Sequence, residues 1–104
     1  MAFSGNFMCT SFKKELMEAK HNFLNSGGNT FRMALYDDDS SFTAATTAYT
    51  STDEISGTNY TAKGESLTRV DPTTSGTTAY TDFADVSWST ATFSAMGAMI
   101  FNDS

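Results

Sequence analysis

An α+β fold, mainly β, is predicted for this chain of 104 residues, and three observations predict it. Hydrophobic residues keep a 3.6-residue period only between Ser11 and Asn25. The period then switches to 2, at Thr30–Tyr36 and again at Ala91–Phe101. The composition is unusually rich in hydroxyl side chains, with 17 Thr and 13 Ser; β-branched Thr favours pleated, half-buried strands and turns over long helices. The implied architecture is an N-terminal amphipathic helix packed on an antiparallel β-sheet or sandwich, in a single domain spanning residues 1–104.

The helix comes first. Met8, Phe12, Leu16, Ala19 and Phe23 step by four, four, three and four, which places them on one face. Lys13, Lys14, Glu18 and His21 fall off that stripe and are expected to face water. Thr10 or Ser11 is placed to cap the N-terminus, and Asn25-Ser26-Gly27-Gly28 to stop the helix.

A strand follows over Thr30–Tyr36, with Phe31, Met33 and Leu35 on one face and Arg32, Ala34 and Tyr36 on the other. Asp37-Asp38-Asp39-Ser40-Ser41 ends it with turn formers. From Phe42 to Glu65 the chain is polar and lacks a clear period. One or two short strands are expected within it, around Glu54-Ile55 and Tyr60-Thr61, because a structureless stretch of that length is uncommon in a compact domain.

Strand signals return at Ser66–Asp71 and are broken by Pro72. Thr73–Gly76 reads as a turn, and Thr77–Phe83 and Asp85–Trp88 as strand pieces joined by a bulge near Ala84. In the last run Phe93, Ala95, Gly97, Met99 and Phe101 share one face. From Met96 onward both faces are apolar, which predicts a central strand covered on both sides. Such a strand needs neighbours. An earlier strand, a partner chain or sequence beyond Ser104 would supply them.

The charge balance narrows the function classes. A net charge of −6 with six basic residues argues against a nucleic-acid binder, which draws affinity from Lys and Arg. One cysteine, Cys9, excludes an intramolecular disulfide and a Cys-rich zinc site. No apolar stretch approaches membrane-spanning length and no secretory signal is visible, so neither membrane nor export is expected.

Enzymatic chemistry finds little purchase. His21 is the lone histidine, so neither a triad nor a Cys–His pair can be read from spacing, and no nucleophile elbow, dinucleotide fingerprint or P-loop occurs. Asp37-Asp38-Asp39 offers oxygen ligands but lacks the spacing of a cation loop, and reads as a solvated turn. Asn59-Tyr60-Thr61 and Asn102-Asp103-Ser104 match the glycosylation sequon without a signal peptide, as chance matches do. No catalytic residue, metal ligand or cofactor is assigned. Two surfaces remain. Met96, Met99, Ile100 and Phe101 form an adaptable apolar run that serves either as core or as a subunit contact. Tyr49, Tyr60, Tyr80 and Trp88 are the aromatics with which a carbohydrate- or host-surface-binding module would hold a surface glycan.

Certain segments carry a resemblance. Phe3-Ser4-Gly5-Asn6-Phe7-Met8-Cys9, Phe12-Lys13-Lys14-Glu15-Leu16, His21-Asn22-Phe23 and Phe31-Arg32-Met33-Ala34-Leu35-Tyr36 resemble a family of small uncharacterised bacteriophage proteins common in marine phages and usually described as virion structural proteins. The likeness continues through Thr47–Thr50, Glu54–Tyr60, Asp82–Trp88 and Ala98–Asn102. It implies a non-enzymatic capsid decoration, tail or fibre component, made in the host cytoplasm and located in the virion. It would act by packing against copies of itself, as a homo-oligomer, or against other virion proteins. Members of that family run further and end in additional strands, so the resemblance implies that this chain is C-terminally truncated. The shared motifs are glycine turns and strand aromatics, which carry no chemistry to transfer.

Overall fold

The computed structural model describes residues 6–37 and 40–104. The fold is α+β and mainly β: one short helix and two antiparallel sheets. The elements are α1 (Thr10–Met17), β1 (Phe31–Tyr36), β2 (Glu65–Ser66), β3 (Arg69–Ser75), β4 (Thr78–Phe83) and β5 (Gly97–Asn102). One sheet has the order β2-β1-β5, and the other is the hairpin β3-β4.

The helix is half the length that periodicity predicts, and it ends at Met17. Lys20 N–H donates to Glu15 O and Ala19 N–H to Leu16 O. With Ala19 at φ 59, these bonds form a Schellman cap, whose left-handed residue is usually glycine. An alanine in that position leaves no mark in the sequence. Beyond the cap the chain reverses and turns His21 inward, between Phe12 (ring centroids 4.7 Å apart) and Phe31 (6.3 Å). His21 therefore does not face water: its side chain is only 9 % exposed. Phe12 and Phe23 still meet, edge to face at 6.4 Å, but across a turn and not along a helix. The N-cap is Cys9, with no side-chain cap bond. Neither Thr10 nor Ser11 caps; Thr10 N–H instead donates to Ala44 O at 2.8 Å.

Strand β1 holds the centre of its sheet. It pairs with β5 over six residues and with β2 at Arg32 and Met33. Phe31, Ala34 and Tyr36 are buried, and because they alternate between the two faces, both faces of β1 are covered. Of the two short strands expected in the polar stretch, the one at Glu54-Ile55 appears as a single bridge, Tyr36 with Glu54, with Ile55 buried beside it; Tyr60-Thr61 forms none, and the other bridge is Thr58 with Thr92. In the acidic turn Asp37 N–H donates to Asp53 O, while Asp38 and Asp39 lie outside the described residues.

Five expectations about the later strands are corrected: the break at Pro72, the bulge near Ala84, the turn at Thr73–Gly76, the strand at Asp85–Trp88 and the central place of the last strand. Strand β3 runs through Pro72, with the register shift between Val70 and Thr73 absorbing it, so the bulge sits there and not near Ala84. The hairpin turn is Gly76-Thr77, closed by Ser75 opposite Thr78, with Gly76 at φ 60, as two-residue hairpins require. Asp85–Trp88 is not a strand. The last run is strand only from Gly97, and β5 lies at the sheet edge, not its centre.

Both arginines act as backbone clamps. Arg69 donates to the carbonyls of Leu24 (2.7 Å), Asn25 (2.8 Å) and Asn29. Arg32 donates to Gly64 O (2.6 Å) and Ser66 Oγ (3.1 Å). A planar fork of five donors fits such carbonyl clusters. Two of the six basic residues are thereby committed to holding loops.

Candidate functional site

Directly paired residues on neighbouring strands share a face. One face of the β1/β5 pair therefore carries Phe31, Met33, Leu35, Ala98, Ile100 and Asn102, and the other Arg32, Ala34, Tyr36, Gly97, Met99 and Phe101. The first face is covered at one end by an aromatic cluster. There Phe23 stacks on Phe31 at 4.6 Å, and Phe83 of β4 approaches both rings. The second face is covered by the segment after β1, through Phe42 against Tyr36 and Tyr49 stacked on Phe101 at 4.7 Å.

Helix α1 joins these two coverings around the β5 side of the sheet. Thr10 N–H donates to Ala44 O, and Ser11 Oγ–H to Thr46 O at 3.4 Å. The helix buries none of its residues. Between it and β5 lies an open cleft of about 660 Å³. Met8, Phe12, Leu16, Phe23, Phe83 and Met96 contribute to its walls together with all of β5, and none of the described residues that line it is charged. A second hollow of about 620 Å³ continues past Met99–Ser104, and there Glu15, Lys20, Lys63 and Asp103 supply charge.

The main chain of β5 is bonded on one side. Asp103 N–H donates to Thr30 O at 2.8 Å, and antiparallel hydrogen-bonded pairs alternate. The bonded residues are thus Gly97, Met99 and Phe101, while the amides and carbonyls of Ala98, Ile100 and Asn102 point away from β1. Met96 is 56 % and Ile100 49 % exposed, whereas Met99 and Phe101 are half-buried. The four residues read from sequence as a subunit contact are therefore brought together along this edge. Two of them face outward. Met8 and Leu16, which the helical period sets on a packed face, stay exposed as cleft walls, because the short α1 buries none of its residues.

The four aromatics do not form a common platform. Tyr49 and Tyr60 donate their phenols to the same carboxylate, Glu54, the latter at 2.5 Å. Lys63 N–H adds a bond to Glu54 at 2.7 Å, and Tyr60 Oη accepts from Leu35 N–H at 3.0 Å. Burial, and then Glu54, push the Tyr49 phenol up to about 12 and raise that of Tyr60 as well. Burial is also the main cause of the raised phenol of Tyr36, which donates to Thr50 O. Trp88 stacks on Tyr60 at 6.3 Å and meets Phe93 edge to face, with its indole nitrogen buried. Tyr80 stands alone and exposed on β4. Their polar tips are thus turned into the fold, apart from that of Tyr80. A glycan platform would need their ring faces exposed together, whereas Tyr49, Tyr60 and Trp88 are half-buried, packed on Phe101, on each other and on Phe93.

His21 contacts Glu15 at 2.9 Å and Asn102 at 2.9 Å, and sits against the rings of Phe12 and Phe31. Among the described residues no cluster of three His, Cys, Asp or Glu side chains is placed to hold a metal ion. No helix among them is long and apolar enough to cross a membrane. Searched against protein-family models, curated proteins and solved structures, the chain has no match. The site's own geometry therefore carries the functional argument.

Proposed function

We propose that this protein is a non-enzymatic structural component of a phage virion, acting by subunit packing through the apolar cleft and the outer edge of β5. The observation that carries the reading is an open cleft, uncharged among the described residues, alongside a strand whose outward main chain bonds none of them. Buried main-chain groups need partners, and an uncharged edge strand is a template for pairing unless it is covered.

The balance of surface supports it. Among the described residues the buried hydrophobic ones are Phe31, Ala34, Tyr36, Ile55 and Leu67, while Met8, Leu16, Met96 and Ile100 around the cleft remain exposed. The accessible surface is 6814 Å², whereas a compact monomer of this mass exposes about 5,700 Å². The difference is of the order of the ~800 Å² that each partner contributes to a standard interface. The resemblance of the sequence to virion structural proteins supplies the particle, and the exposed edge supplies the means. Synthesis in the host cytoplasm and residence in the virion follow from the same reading.

Size-exclusion chromatography with light scattering tests it. A discrete oligomer that strengthens with concentration is expected. A clean monomer at millimolar concentration would overturn self-assembly.

A further inference from the structure

We propose that subunits join head to tail by strand addition, the outer edge of β4 in one copy pairing with the outer edge of β5 in the next. This rests on the assembly reading above and specifies its contact.

The hairpin β3-β4 is an arm. Every residue from Val70 through Asp82 is exposed, and the arm is held near its base, through Arg69, Phe83 and Asp71 Oδ1, which accepts from Asn25 N–H at 2.7 Å, with Thr81 at the cleft wall. A two-stranded ribbon without a buried face is marginal in water. Its two edges differ. The β3 edge carries Pro72 and the register shift, both of which oppose further pairing. The β4 edge carries neither. Its closing pair Ser75/Thr78 sets the alternation, so Ala79 directs its amide and carbonyl outward, away from β3.

The acceptor is the β5 edge, where the outward main-chain groups of Ala98, Ile100 and Asn102 bond none of the described residues. Chemistry matches on the two sides. From Pro72 to Thr81 the arm has no charged side chain, and none of the described residues lining the cleft beside β5 is charged. A lipid or small apolar ligand would fill that cleft yet leave the outward amides and carbonyls unmet, whereas a strand satisfies them. A second copy therefore fits best. An arm on one surface and an edge on another make a heterologous contact, which generates rings or open arrays, as a particle requires.

The test uses two edge-blocking variants. The N–H that proline removes at either site points outward, so no bond of the β1/β5 or β3/β4 ladder is lost with it. Ile100→Pro blocks the acceptor and Ala79→Pro blocks the donor. Light scattering should show each variant monomeric where the unmodified chain is oligomeric, with apparent affinity lowered at least tenfold. Mixed one to one, they should form a single capped heterodimer, since each retains the edge the other lacks. That restoration also shows that both are folded. Oligomers persisting in either variant, or a mixture that stays monomeric, would overturn strand addition while leaving assembly by another surface standing. A monomeric unmodified chain would instead remove the assembly reading itself.

Discussion

Asn102 Nδ2 donates to His21 Nδ1 at 2.9 Å across 81 residues of sequence. The orientation is fixed, because Asn102 Oδ1 accepts from Ser104 N–H at 3.0 Å. His21 Nδ1 must then be the acceptor, and Nε2–H donates to Glu15 Oε1. One imidazole thus ties α1 to β5 within a ring of phenylalanines.

Removing the imidazole should be costly. His21→Ala leaves the Asn102 amide without its partner and opens space beside Phe12 and Phe31. Its expected loss is about 2–3 kcal/mol. Urea unfolding should show a lower midpoint with an unchanged slope. A loss below about 0.5 kcal/mol would mean that the tie is ornamental.

Ala19 offers the opposite sign. It holds a left-handed φ of 59 in a Schellman cap, a conformation that costs an L-residue roughly 1–2 kcal/mol. Ala19→Gly should stabilise by about 1 kcal/mol, after allowance for glycine's greater unfolded entropy. Thermal unfolding should move up by several degrees.

Gly64 cannot be replaced in the same way. At φ 70, a Cβ would stand 1.8 Å from Met33 O, inside the central strand. Backbone of β1 would have to move, and Gly64→Ala should cost about 3 kcal/mol or more. Loss of the Arg32 bond to Gly64 O would accompany it, visible as faster amide exchange at Glu65 and Ser66.

Alkaline pH should unfold the protein through the tyrosines that meet Glu54. The Tyr49 phenol is raised to about 12 by burial and by Glu54, and Tyr60 and Tyr36 are raised as well. The folded state then holds protons that the unfolded chain releases near pH 10. This contribution is full below about pH 10 and is lost as pH rises towards 12. Melting temperatures measured from pH 9 to 12 should fall through that window. A flat profile would contradict the arrangement.

Much of the frame was legible in sequence because side-chain period reports which residues share a face. The period-2 run at Phe31–Tyr36 is the central strand, and the helix begins at Thr10, one residue before the expected Ser11. The helix end was not legible, since Ala19 takes the place where glycine would signal a stop. His21 read as exposed because a helical projection cannot anticipate the reversal that carries it under Phe12. Pro72 suggested a strand break, but a bulge on an edge strand tolerates it. The apolar run Met96–Phe101 was read as a covered centre, since pattern records apolarity and not the neighbour that covers it. That misplacement concerns the feature on which the functional reading rests.

Residue-resolved amide exchange along β5, at dilute and concentrated protein, tests that reading most directly. The account predicts slow exchange at Gly97, Met99 and Phe101 in both samples. Ala98, Ile100 and Asn102 should exchange fast when dilute and become protected when concentrated. Protection of these three already in the dilute monomer, or fast exchange at a concentration where the protein is oligomeric, would contradict it.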